Sequence, residues 1–141
     1  MESPVYAAEV SQYRISEAAR LLGVSDDTIR RHIDAGTLTA TKDKVNRSVI
    51  DGAELAEFAR LQGESAPDPT SVGSSARNRM VGLVTSIVAD KVMAQVEIQC
   101  GRDRVVSLMS TEAVKELGLE PGSPAVAVIK ATTVVVETPN A

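Results

Sequence analysis

Aromatic side chains are nearly missing from this chain of 141 residues: it has two Tyr, one Phe and no Trp. Tyr6, Tyr13 and Phe58 are all of them. Cores must therefore be built from Val, Ile, Leu, Ala and Met. A half-length domain with such a core is marginal alone, so association with further copies is expected. The single Cys100 excludes an intramolecular disulfide framework and any Cys-based zinc site. It reads as a small buried apolar residue in a strand. No apolar run is long enough to span a bilayer. The start, Met1-Glu2-Ser3-Pro4, has no basic segment followed by an apolar one. That argues against a secretory signal, and a cytoplasmic protein is expected. No nucleophile stands with a base, and no metal cluster or phosphate loop appears, so no enzyme is expected.

The formal net charge of −4 does not suggest a nucleic-acid binder, but its distribution does. Between Thr28 and Arg47 lie five cations, Arg30, Arg31, Lys42, Lys44 and Arg47, against only Asp34 and Asp43. Local clustering, not total charge, sets the footprint on phosphate.

The segment 63–74, GESAPDPTSVGS, is rich in Pro, Ser and Gly. Its one aliphatic side chain larger than Ala is Val72. It cannot pack a helix or strand face and reads as a linker. Before it the hydrophobic period is helical; after it the pattern alternates as in strands. The expected division is a domain over 1–62, a linker over 63–74 and a second domain over 75–141.

In the first half, Ser16 is expected to cap a helix that runs to Leu22 and stops at Gly23. Ser25 and Asp26 would cap a second helix, through Ala35, closed by Gly36. Ala19, Gly23 and Ile29 fit a helix-turn-helix. That motif needs a small residue at the crossing, glycine in the turn and a branched residue pointing back into the core. Leu22, Val24 and Ile33 would complete that core. Two β-prone runs, 37–41 and 47–50, flank the polar turn from Lys42 to Asn46 and predict a hairpin wing. Asp51 would cap a third helix over 52–61.

The run from Tyr13 to Ser25, with Thr28-Ile29-Arg30-Arg31, resembles the winged helix-turn-helix of the MerR/excisionase superfamily. The resemblance covers roughly residues 12–62. It implies double-stranded DNA as a partner, with the second helix in the major groove and the wing on backbone or minor groove. Thr28 and Arg30 are then candidates for base edges, and Arg31, Lys42, Lys44 and Arg47 for phosphate. His32 stands where members often carry a large aromatic. With no nearby Cys or second His, it is not expected to hold a metal.

In the second half, Asn78 to Val88 is β-rich, and Val92 to Cys100 alternates, with Val92, Ala94, Val96 and Ile98 on one face. A turn at Gly101-Arg102-Asp103 leads to a third strand, 104–109. A short helix capped by Ser110 ends at Leu117-Gly118. Strands over 125–129 and 133–136 would follow. Five short strands with a helix between the third and fourth is an OB-like barrel order, so the chain as a whole is expected to be α+β.

Two segments here suit a compact anion: Ser75-Ala76-Arg77-Asn78 and Lys130-Ala131-Thr132-Thr133. Arg and Lys are cations, and the hydroxyls of Ser75, Thr132 and Thr133 are potential donors. With Gly82-Leu83-Val84, Leu117-Gly118-Leu119 and Pro121-Gly122, they resemble the Mop domain (molbindin), a branch of the TOBE family, over residues 75–138. The resemblance implies molybdate or tungstate bound between barrels by Ser75, Arg77, Ser110, Lys130, Ala131 and Thr132, partly through backbone N–H groups. Charge-assisted hydrogen bonds to a tetrahedral dianion are the strong kind, and a helix start such as Ser110 favours an anion. Ala113 stands where the family often carries a second hydroxyl. The resemblance also implies a homo-oligomer, with a hexamer built as a trimer of dimers favoured and a dimer as the alternative.

The expected function is a molybdate- or tungstate-responsive, DNA-binding transcription regulator. One alternative is an oxyanion storage or buffering protein whose helix-turn-helix serves protein contacts. Another is an architectural DNA-binding protein with an inert barrel.

Overall fold

The computed structural model describes residues 11–63 and 67–139. Tyr6 and the residues 1–4 judged for a leader lie outside the described residues, as do 64–66 of the expected linker. The chain divides into two compact units, Met1–Gly63 and Glu64–Ala141.

The first unit runs β1 (Gln12–Arg14), α1 (Ile15–Leu22), α2 (Asp26–Asp34), β2 (Ala40–Lys42), β3 (Ser48–Asp51) and α3 (Gly52–Gln62). Its core joins Ala18, Ala19, Ile29, Leu38, Ile50, Leu55 and Phe58. The small-residue crossing is as expected: Ala19 is buried, and Gly23 takes a left-handed φ of 69°. There the Val24 N–H turns back to the Ala19 carbonyl at 2.9 Å. Ser25 caps α2 by accepting from the Thr28 N–H at 3.1 Å, and Asp51 caps α3 by accepting from Glu54. Two local expectations differ. Helix α1 starts before Ser16, because the Glu17 carboxylate accepts the Arg14 N–H at 2.9 Å and does the capping itself. Val24 is 40% exposed and stays outside the core, since the turn lifts it off the helix faces. The sheet has the order β1-β3-β2, and β2 with β3 forms the wing. Strand β1 escapes a periodicity argument because three residues show no period.

The second unit runs β4 (Asn78–Ala89), β5 (Met93–Cys100), β6 (Asp103–Ser110), α4 (Thr111–Leu117), β7 (Pro124–Ile129) and a 3-10 turn at Ala131–Thr133. It is a curled antiparallel sheet of order β6-β5-β4-β7, so the chain is α+β. The alternation in β5 is real: Ala94, Val96, Ile98 and Cys100 are buried, with Val84 and Val114 against them. Val92 precedes the strand and is 69% exposed. Gly82 lets β4 and β5 approach closely. A Cβ there would stand 2.1 Å from the Gln99 carbonyl oxygen. The Cys100 thiol is buried beside the Met80 carbonyl, and burial pushes its pKa up.

The expected fifth strand over 133–136 is not formed. The Thr133 N–H and hydroxyl both turn back to the Lys130 carbonyl, at 3.0 and 2.9 Å, and bend the chain away from β7. Val135 and Val136 are left more than 80% exposed. Valine favours strands by packing on a neighbour, and this segment has no strand partner among the described residues. The second unit is thus an open half-barrel whose sheet has four strands.

The segment 67–74 has no helix or strand, but it is tied down. Asp68 forms an ion pair with Arg79 of β4 at 2.9 Å, and the same guanidinium donates to the Thr70 hydroxyl. The Arg79 guanidinium, with help from Thr70, holds the Asp68 carboxyl down at about 2.

Candidate functional site

The two segments singled out for an anion are neighbours in space. Strands β4 and β7 pair antiparallel with Asn78 opposite Ile129, and the Asn78 side-chain amide donates to the Ile129 carbonyl at 3.1 Å. Arg77 lies one residue before Asn78, and Lys130 one after Ile129. The strand pair therefore delivers both cations to the same end of the sheet, and both are exposed. Ser74 shapes the approach by accepting the Ala76 N–H at 3.1 Å. Ser75, Ala131 and Thr132 are also exposed there. Thr133, the fourth residue of its segment, is not available as a donor, because its hydroxyl proton goes to Lys130.

Ser110 is elsewhere. It pairs with Met93, and β5 meets β4 at Ala94 opposite Ala89. That is the far end of β4, a strand of 12 residues that begins at Asn78. At ~3.3 Å per residue this is roughly 36 Å of strand. The Ser110 oxygen already accepts the Ala113 N–H at 3.0 Å, which leaves its O–H free to donate. Within one chain, then, five of the six expected residues gather at one end and Ser110 sits at the other.

The second candidate face lies on the first unit. Helix α2 exposes Asp27, Arg30, Arg31 and Asp34, with Ile29 fully buried behind them. Arg30 pairs with Asp27 at 3.6 Å. Thr28 is half-buried, and its hydroxyl is occupied by Ser25 at 2.9 Å and by the Arg31 guanidinium at 3.1 Å. It positions Arg31 instead of presenting a free hydroxyl. On the wing, Lys42 donates to Ser48, and Arg47 pairs with Asp43 at 2.9 Å. Asp43 organises this turn. The backbone N–H of Arg47 is the main cause of its lowered pKa, and its carboxylate also takes the Val45 N–H. Lys44 and Val45 stand exposed at the tip, where Asn46 takes a left-handed φ of 63°. Gln12 and the wing residues line a shallow groove.

His32 does the work of the aromatic it replaces. Its ring meets Phe58 edge-on at 4.7 Å, and Nδ1 lies 2.9 Å from the Thr37 hydroxyl. Since that hydroxyl donates to the His32 carbonyl, Nδ1 is assigned as the protonated nitrogen.

Comparison with known proteins gives two family matches: the TOBE domain over residues 74–136 and a helix-turn-helix domain over residues 13–62. The "Probable molybdenum-pterin-binding protein" of Haemophilus influenzae is 51% identical over 63 residues, which cover 44% of this chain and 91% of that protein. The molybdenum transport protein ModE of Herbaspirillum seropedicae is 38% identical over 69 residues, 48% of this chain and only 26% of that protein. Among solved structures, a molybdate binding protein from Sporomusa ovata is matched over its whole length and 48% of this chain, with 30% identity and a TM-score of 0.46. These relatives are binding and transport proteins by name.

Proposed function

The chain belongs to the TOBE-domain family, and from that membership we propose that it is a molybdate- or tungstate-responsive, DNA-binding transcription regulator of the cytoplasm. Its oxyanion sites lie between copies of the second unit. One observation carries the interfacial reading: Ser75, Arg77, Lys130, Ala131 and Thr132 lie at one end of β4, and Ser110 at the other. A second copy has to bring its Ser110 to the first copy's Arg77 and Lys130 to complete the set. The open strand edges and the exposed Val134, Val135 and Val136 support association, because unpaired edges and bare valines favour burial against another chain. A hexamer built as a trimer of dimers is the favoured assembly, with a dimer as the alternative.

A free oxyanion fits this site better than a pterin. A pterin ring calls for a stacking surface, and no Tyr, Phe or Trp occurs after Phe58. Two cations with hydroxyl and backbone donors suit a tetrahedral dianion. On the first unit, Arg30, Arg31, Lys42, Lys44 and Arg47 are the DNA contacts, and Thr28 sets the angle of Arg31. A ligand that alters the assembly alters the spacing of paired readers, and fixed half-site spacing turns that into a change of affinity.

The storage alternative has one observation in its favour: the exposed face of α2 carries two acids against two bases. Calorimetric titration with molybdate, tungstate, sulfate and a pterin, followed by shift assays on selected and random DNA, tests both readings. The regulator binds the first two anions and shows salt-dependent sequence selectivity. Anion binding without any selectivity would leave storage standing and remove the regulator.

A further inference from the structure

An acid on the DNA-facing side of a recognition helix weakens attraction to the phosphate backbone. Asp27 holds such a position. Ile29 is fully buried, and at ~100° per residue Asp27 points about 160° away from it, near the centre of the outward face. Its side chain is 90% exposed and lies 3.6 Å from the Arg30 guanidinium, nearly one turn on. Capping does not call for it. Ser25 supplies the cap, and Asp26 already places an acid in the first turn. The pair therefore sets an acceptor beside a donor fork near the start of α2. That is the end of a recognition helix whose side chains reach base edges.

We propose that Asp27 is a specificity-determining residue, which accepts a hydrogen bond from the N4 amine of a cytosine in the major groove while Arg30 donates to a nearby guanine. This rests on the DNA-binding reading above. The chemistry discriminates among the bases. Cytosine offers a donor there, whereas guanine offers N7 and O6 and thymine offers O4, all acceptors that repel a carboxylate. Adenine sets its N6 amine beside the N7 acceptor, so only half of its edge suits. The guanidinium has the opposite preference and fits guanine O6 and N7 together. Asp27 thus rejects wrong bases as much as it holds the right one. The ion pair keeps the two side chains together before DNA arrives. Being exposed, it opens at little cost.

The test selects duplexes from a random-sequence library with the full chain, with and without molybdate, and then titrates single-base variants of the recovered site. The wild type is expected to prefer cytosine at one position by about 5- to 150-fold. Asp27→Ala should lose that preference and keep the others. Asp27→Asn should move it to adenine, whose N6/N7 edge matches an amide. If Asp27→Ala instead gains affinity on every sequence and leaves all base preferences intact, the carboxylate is merely repulsive and the proposal is overturned. A wild type that recovers no common sequence in either state overturns the regulator reading, and this inference with it.

Discussion

The first unit closes its core within one chain, whereas the second leaves much of its apolar surface open. Ala18, Ile29 and Ile50 are wholly buried around α1, α2 and β3. The second unit buries Val84 and Val96 but leaves Leu108, Val128, Val135 and Val136 facing outward. The candidate sites differ in the same way. The proposed DNA face is complete on one helix and one hairpin, while the proposed oxyanion residues are divided between opposite ends of a sheet. A module that reads another molecule's surface can be finished alone. A module whose ligand sits at an interface must leave that interface bare until a copy arrives.

The contrast breaks most violently at Gly82. Gly82→Ala drives a methyl group into the Gln99 carbonyl, which is backbone held in the sheet and cannot swing away. The expected cost is ~3 kcal/mol or more. Thermal melting should show the second unit lost and the first still folded; a single unshifted transition would show that the sheet yields there.

Ile29→Ala tests the converse. Emptying a fully buried site should cost about 2–5 kcal/mol. The first unit should destabilise while oxyanion binding by the second persists, read by paired melting and calorimetry. Loss of both together would mean that the units depend on each other.

Arg77→Ala should weaken oxyanion binding by roughly 1.5–3 kcal/mol, the scale of one charged hydrogen bond. Folding should survive, because Arg77 is exposed. Unchanged isotherms would remove it from the site. Assembly sharpens the same point. A fragment of residues 67–141, cut to retain the tie from Asp68 to Arg79, should scatter light as a multimer, and residues 1–62 as a monomer. A monomeric 67–141 fragment would sink the interfacial site.

Smaller effects are expected at the wing tip and at the tied segment. Lys44→Ala should weaken binding to all DNA sequences and reduce the salt slope by about 1. Asp68→Asn should release segment 67–74 from β4. The folded pKa of Asp68, about 2, lies below its unfolded value, so its contribution is fully present above roughly pH 4. It is lost as pH falls toward 2. The stability difference between wild type and Asp68→Asn should follow that course in melts at graded pH; a difference independent of pH would mean that the carboxylate charge is not what ties the segment.

Local chemistry made much of this protein legible from its residues. Gly23 ends α1 because glycine takes the left-handed turn, and Ser25, Asp51 and Ser110 cap helices because their oxygens reach N–H groups three residues on. The alternation in β5 named its buried face. The expected division into halves was read from a hydrophobic period that changes across a segment poor in large apolar side chains. Tertiary structure alone decided the rest. Partner strands pulled Gln12–Arg14 into a sheet that three residues could not announce. With no partner strand among the described residues, Val134 to Val136 stay outside one, against their strand propensity. The pairing of Asn78 with Ile129 brought Arg77 to Lys130, and the antiparallel run of β4, β5 and β6 carried Ser110 to the opposite end. Caps and periods act within a turn or two of the chain and can be read along it. Which edges pair, and which side chains meet as a result, depends on contacts between residues far apart in sequence, and only the folded arrangement supplies those.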